Sequence, residues 1–187
     1  VTYQHGRYLM PTIPVLVVLG AGGSAELVSR LTSPYKPLVA RALILSEAIL
    51  LLAFVGIGAG AYTADVEVIN GEMVAVAQWL NEHTPADALV AVHDIGAIGY
   101  FARRPLLDLA GLVTPEVVLF IRDEPALLAL MLERGAEYLV TFPSWYPQIV
   151  SSPAVELLYQ TDCARTRALG GDNMAVYRFR KHRFQKR

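Results

Sequence analysis

The sequence predicts a membrane α-helical segment of two transmembrane helices, followed by a small extracytoplasmic α/β domain with a mostly parallel sheet. Three observations carry this prediction. First, 54% of the 187 residues are hydrophobic and only 18% are charged, against about 45–50% and about 25% in an ordinary soluble domain. The excess lies almost entirely in the first 62 residues. Second, charge is unevenly spread: residues 1–62 hold four Lys/Arg and two Glu, residues 63–177 hold six Arg and fifteen Asp/Glu, and residues 178–187 hold six basic side chains and no acid. Third, helical and strand-like patterns alternate from Asp65 onward, as in a layered α/β domain. Together these exclude an ordinary single soluble domain and a disordered chain. The lone Cys163 excludes a disulfide scaffold. The expected divisions are a helix pair over 1–63, the α/β domain over 64–180 and a basic flexible tail over 181–187.

The first apolar stretch, Tyr8 to Ala25, has no charge, but Pro11 and Pro14 are expected to break its early turns and Gly20, Gly22 and Gly23 to loosen its end. Such residues are tolerated in membrane helices that pack against other helices. The second stretch, Ala42 to Tyr62, is a stronger candidate. As a helix rising about 1.5 Å per residue it matches a hydrocarbon core about 30 Å thick. Its one charge, Glu47, is only five residues past Ala42 and is expected near the cytoplasmic interface, the alternative being a buried partner within the membrane. The glycine clusters Gly20–Gly23 and Gly56–Gly60 lack a preceding strand and a following Lys-Ser/Thr pair, so they read as small packing residues rather than phosphate loops. The connection between the stretches carries Arg30, Lys36 and Arg41. By the positive-inside rule it is cytoplasmic, which places both the HGRY segment and everything after Tyr62 outside. The chain begins at Val1 without Met, a basic leader or a cleavage site, so a fragment of a longer inner-membrane, multi-pass protein is expected.

In the second part, Val66 to His83 reads as a helix ended by Thr84-Pro85. Strands are predicted at Ala88–His93, Pro105–Leu109, Tyr138–Phe142, Pro153–Tyr159 and Asn173–Phe179. Between them fall a short helix or turn over Ile95–Phe101, a short helix opened by Pro115, and a firmer helix from Glu124 to Arg134 stopped by Gly135.

Residues able to carry chemistry gather at His93, Asp94, Tyr100, Arg103, Arg104 and Asp108. A His-Asp pair leaving a strand can act as acid and base or hold a metal, because strand ends in α/β sheets are where ligand sites form. No second His stands at ligand spacing, and there is no nucleophile elbow or Cys cluster. The competing structural reading has Asp94 capping the following turn and Asp108 pairing with Arg103 or Arg104. No catalytic or metal-ligating residue and no cofactor is assigned to this chain, and nothing indicates nucleic acid. Trp145-Tyr146 reads as a core or interface pair, or alternatively as a contact for lipid headgroups or saccharide. The basic tail reads as a solvated end, with attraction to anionic lipid or polymer as the alternative.

The run His5-Gly6-Arg7-Tyr8-Leu9-Met10-Pro11-Thr12-Ile13-Pro14 resembles the segment that opens a late transmembrane helix in bacterial GT-C membrane glycosyltransferases of the protein-mannosyltransferase and aminoarabinose-transferase kind. Trp79 to Pro85, Val92 to Gly96, Gly99 to Phe101 and Leu107 to Leu112 resemble the domain that follows in such proteins. The resemblance implies a polyprenyl-phosphate-linked sugar donor and an extracytoplasmic acceptor. It also implies a lipid bilayer and further transmembrane helices as partners, with catalytic acids in an earlier loop outside this sequence. It places Arg7 at the outer face, pairing with the donor's phosphate, with His5 and Tyr8 beside it. The other reading of Arg7 and Tyr8 is as interfacial anchors.

Overall fold

The computed structural model describes residues 10–180 and divides into two units, Val1–Gly60 and Ala61–Arg187. The expected basic tail, residues 181–187, lies outside the described residues.

The first unit is helical. A 3-10 turn over residues 10–12 leads into α1, Ile13–Arg30. Contrary to expectation, the prolines do not break it: Pro11 sits in the preceding turn and Pro14 in the first turn of the helix, where no intrahelical N–H is needed. At the other end Arg30 pairs with Glu26 at 2.7 Å and the Lys36 ammonium donates to the Ser29 carbonyl at 2.9 Å. Helix α2 runs Lys36–Ile69, and neither helix buries a residue. Both helical stretches, Met10–Arg30 with mean hydropathy 1.5 and Lys36–His83 with 2.3, are long and apolar enough to cross a membrane. A Cβ added at Gly20, Gly22, Gly23, Gly56, Gly58 or Gly60 would meet nothing within 4 Å, so these small-residue faces are open.

The second unit is an α/β domain. The helix expected to begin at Val66 is instead the continuation of α2. A π-helical turn, Asn70–Val74, joins α2 to α3, Ala75–His83. Nothing between Ala42 and His83 removes a backbone donor, so the helical ladder runs on until Thr84-Pro85 stops it. The remaining elements are β1 Val90–Val92, α4 Ile95–Ala102, β2 Leu106–Asp108, a 3-10 turn Pro115–Phe120, α5 Glu124–Glu133, β3 Tyr138–Thr141, a 3-10 turn Pro143–Trp145, α6 Pro147–Val150, β4 Val155–Gln160, α7 Ala164–Ala168 and β5 Ala175–Phe179. Helix starts follow from side-chain caps: Asp94 accepts from the Gly96 N–H and Asp123 from the Ala126 N–H. Helix α5 is followed by Gly135 at φ 74°, a left-handed position that glycine occupies without strain.

The sheet order is β2-β1-β3-β5-β4. Strands β2, β1 and β3 are parallel, whereas β5 is antiparallel to both β3 and β4. This corrects the expectation of a mostly parallel sheet: the sheet is mixed, and its reversed strand lies inside. Strand β5 is buried at every residue except Arg178, while β4 is largely exposed. The buried strand takes the interior position, and β4 is left at the rim. There, the register shifts between Leu157 and Tyr159, an irregularity of the kind that interrupts regular pairing at sheet edges.

Alternate residues feed two cores, one on each face of the sheet. Val90, Val92, Tyr138, Val140 and Val176 pack with Val76, Ala77, Leu80 and Ile98 of α3 and α4. Ala91, Leu139, Ala175 and Tyr177 pack with Val117, Leu127, Met131 and Ile149 on the other face. The domain is therefore three layers deep, helices covering both faces of one sheet.

Candidate functional site

In the order β2-β1-β3, the chain leaves β1 to one side and returns, after β2, to β3 on the other. The carboxyl ends of β1 and β3 therefore flank a topological switch point, where open α/β sheets form their ligand crevices. His93 follows β1 directly, and Trp145 and Tyr146 lie on the segment after β3. His93 Nδ1 and the Tyr146 phenol oxygen are hydrogen-bonded at 2.8 Å. The Trp145 ring stands edge-on to His93 at 4.8 Å and leans on Phe142 at 4.9 Å. Tyr146 is a core residue at 4% exposure, whereas Trp145 is 45% exposed. The aromatic pair is thus split, one ring in the core and one on the rim.

Burial holds His93 below its ordinary value of 6.5, opposed by the Asp108 and Asp94 charges. Tyr146 is pushed up to about 12, first by burial and then by the Glu124 and Asp108 charges. At neutral pH the crevice therefore presents a neutral imidazole, a protonated phenol and an indole, a set suited to hydrogen bonding and stacking. The sign of the pH dependence follows. Below pH 6.5 an unfolded His93 takes up a proton that the folded one resists, so its contribution to stability is full above 6.5 and is lost as pH falls. Above pH 10 an unfolded Tyr146 loses a proton that the folded one keeps, so stability falls again between pH 10 and about 12. Tyr177, raised by burial and by Asp172, adds to the alkaline loss. Denaturant midpoints measured across pH are expected to show both slopes, and His93→Gln to flatten the segment just below pH 6.5.

The carboxylates expected here are engaged with the backbone. Asp94 caps α4, as the structural reading had it. Asp108, fully buried, pairs with neither Arg103 nor Arg104, contrary to that reading. Its two carboxylate oxygens accept from the Ala110 N–H at 2.8 Å and the Val113 N–H at 2.7 Å, and its own N–H donates to Thr114 Oγ1 at 3.3 Å. Arg104 instead caps the carboxyl end of α3, donating to the carbonyls of Leu80, Asn81 and Thr84 at 3.2, 2.9 and 2.7 Å. There a cation satisfies the orphan acceptors and complements the helix dipole. Arg103 ends α4 in the left-handed region, φ 53°. Tyr100 is 77% exposed with its ring edge-on to Phe101, about a turn and a half along α4 from the strand end. The structure thus brings His93, Asp94 and Asp108 to one sheet edge and leaves Tyr100 outside the cluster. Arg7, His5 and Tyr8 lie outside the described residues.

Sequence reasoning missed a second cluster. Glu72, in the π-helical turn, is fully buried. One carboxylate oxygen accepts from Asn173 Nδ2 at 2.8 Å; the other accepts from the Met174 N–H at 2.8 Å and from the Thr161 hydroxyl. Every donor is about 90 residues or more away along the chain, so no local spacing announces the cluster. The only signal was a carboxylate within the apolar face of a helix. Beside it, Cys163 Sγ would lie 2.7 Å from a Cβ at Gly71, so a residue without a side chain lets the two segments close. Trp79 stacks on both His83 at 4.8 Å and Tyr159 at 5.1 Å. Among the described residues no three His, Cys, Asp or Glu side chains converge as a metal site would require.

Comparison with curated proteins gives no match to this chain. A family model, described as a domain of unknown function, DUF8728, matches residues 61–177. That span covers the α/β domain from the last turns of α2 into β5, so the chain belongs to the DUF8728 family.

Proposed function

We propose that this chain is the C-terminal part of an integral-membrane glycosyltransferase of the GT-C kind. In this reading α1 and α2 cross the inner membrane, and the α/β domain stands outside the cytoplasm. The whole protein transfers a sugar from a polyprenyl-phosphate donor to an extracytoplasmic acceptor. The domain supports that reaction without supplying its catalytic acids. The observation that carries the last point is the state of the carboxylates at the sheet edge: both oxygens of buried Asp108 accept backbone N–H groups, and Asp94 accepts the Gly96 N–H as the cap of α4, so both are engaged in shaping backbone. The two apolar helices, with no buried residue, support a bilayer and further helices as their surroundings. Arg7, at the outer end of the first span, holds the donor phosphate and stabilises it as it departs.

The test uses membranes containing the whole polypeptide and a radiolabelled polyprenyl-phosphate sugar. Arg7→Ala is expected to lower transfer about 100-fold or more, the scale for losing one transition-state donor. Asp94→Asn is expected to leave transfer within about threefold, since it retains a capping oxygen. Wild-type membranes that consume no such donor, or full activity in R7A, would overturn the reading. Topology is checked separately in a Cys163→Ser background. A membrane-impermeant maleimide added to intact spheroplasts is expected to label Asp87→Cys and to spare Ser33→Cys.

A second reading, a membrane-anchored domain that binds saccharide or protein without catalysis, is favoured by the β1/β3 crevice. Its half-exposed Trp145, edge-on to His93 at 4.8 Å, offers a sugar ring an aromatic surface beside a hydrogen-bonding imidazole.

A further inference from the structure

The loop after β2 exposes more apolar surface than a solvated turn should. Leu112 is 75% exposed, Val113 68%, Val118 57% and Leu119 85%. Burying one such side chain fully is worth about 1.5–3 kcal/mol, and a cluster of them on a domain surface marks an interaction site. The loop is nevertheless built with care. The Asp108 carboxylate ties the Ala110 and Val113 N–H groups together, and the Leu109 N–H donates to the Val92 carbonyl at 2.8 Å. Gly111, at φ 78°, lets Val118 pack where a Cβ would come within 2.6 Å of it. A buried carboxylate thus fixes a backbone whose tip carries leucine and valine outward.

Contacts within the domain show which end this tip occupies. Arg104, just before β2, meets the carboxyl end of α3, so the amino ends of the parallel strands lie beside Thr84. Glu72, at the other end of α3, meets Thr161 just after β4 and Met174 just before the reversed β5. The carboxyl ends of β1 to β4 therefore lie level with Glu72, at the end of the domain through which the chain arrives from Ala61–Ile69. As helix, the ten steps from Tyr62 to Glu72 rise only about 15 Å. Trp145, which favours the membrane interface, stands at that same edge, and Arg122, next to the loop, is exposed.

We infer that the 109–121 loop is a membrane-docking element: Leu112, Val113, Val118 and Leu119 insert into the interfacial layer of the bilayer that α2 crosses, with Trp145 beside them and Arg122 toward lipid phosphate. This rests on the membrane reading above and adds to it a second, non-spanning contact with lipid. The occupant is lipid because the chain enters this same end directly from the apolar 42–62 stretch.

The test uses the full chain, Cys163→Ser, reconstituted in phospholipid vesicles, with a polarity-sensitive fluorophore on Leu112→Cys or Leu119→Cys. Both positions are exposed, so labelling leaves the core intact. Lipid carrying a nitroxide just below the headgroup is expected to remove about half the emission at both positions, since interfacial apolar groups sit about 5–10 Å deep. It should leave a label on Asp87→Cys, at the opposite end of the domain, unchanged. Quenching by aqueous iodide equal to that at Asp87 would overturn the inference, and so would shielding from both quenchers, which would assign the loop to a protein partner or a second copy. Labels on Leu50→Cys and Leu52→Cys, on opposite sides of α2, separate the two failures. If neither is quenched by a nitroxide deep in the acyl chain, the membrane reading itself falls. If they are quenched while Leu112 and Leu119 are not, only the docking loop falls.

Discussion

Replacing Glu72 with alanine is expected to destabilise the α/β domain by about 3–5 kcal/mol, the largest loss from any single polar residue in it. The carboxylate is fully buried and accepts from Asn173, Met174 N–H and Thr161. Truncation strands the Met174 N–H and one Asn173 N–H in a buried site, at about 1–3 kcal/mol each and less than additively, while the Thr161 hydroxyl keeps the Met174 carbonyl as an acceptor at 3.2 Å. The cost also spreads, because these contacts fasten the π-helical turn to both ends of the β4–β5 connection. Glu72→Gln keeps one acceptor but turns an amide donor toward other donors, so an intermediate loss is expected. Urea unfolding of the full chain in detergent, read by the fluorescence of Trp79 stacked on Tyr159, checks both. A loss below about 1 kcal/mol in Glu72→Ala would show that apolar packing around α3 holds this junction without the carboxylate.

Asp108→Ala is expected to cost about 2–4 kcal/mol and to release the loop after β2, since the Ala110 and Val113 N–H groups lose their acceptor. Amide exchange at those two residues should rise by more than that at Leu139 in the sheet core. Asp108→Asn retains one acceptor and faces the second N–H with a donor, so it should lose about half as much. If the loop docks on lipid, nitroxide quenching at Leu112 falls in both variants even at temperatures where the domain remains folded. An Asp108→Ala domain with unchanged exchange at Ala110 and Val113 would mean that the neighbouring bonds from Leu109 to Val92 and from Val117 to Thr114 hold the loop by themselves.

The five strands and most helices were legible because each carries a local signal: apolar runs of strand length bounded by Pro, Gly and Asp, a cap at Asp94 and a stop at Gly135. Strand order was not. Ala175–Phe179 is more continuously apolar than Val155–Gln160, a hint that the last strand is interior. Alternation along the chain nonetheless says nothing of which neighbour a strand pairs with, and the reversed β5 slots between β3 and β4. The candidate site was half legible. His93, Asp94 and Asp108 share a sheet edge as their strand-end positions suggested. The phenol that meets His93 is 53 residues away, and Tyr100, although close in sequence, faces solvent on α4.

The sequence by itself determined where the apolar mass lies, which segments are helix or strand, and that the second part is an acidic α/β domain, because hydrophobic periodicity, caps and breakers act within a few residues. Only the tertiary structure decided the partners of each polar group. Asp108 binds backbone N–H rather than arginine, Arg104 closes a helix 20 residues before it, and Glu72 gathers donors from the far end of the chain. The physical reason is that a buried polar group must find its partner wherever folding places one, and that place is set by the packing of whole elements rather than by sequence spacing.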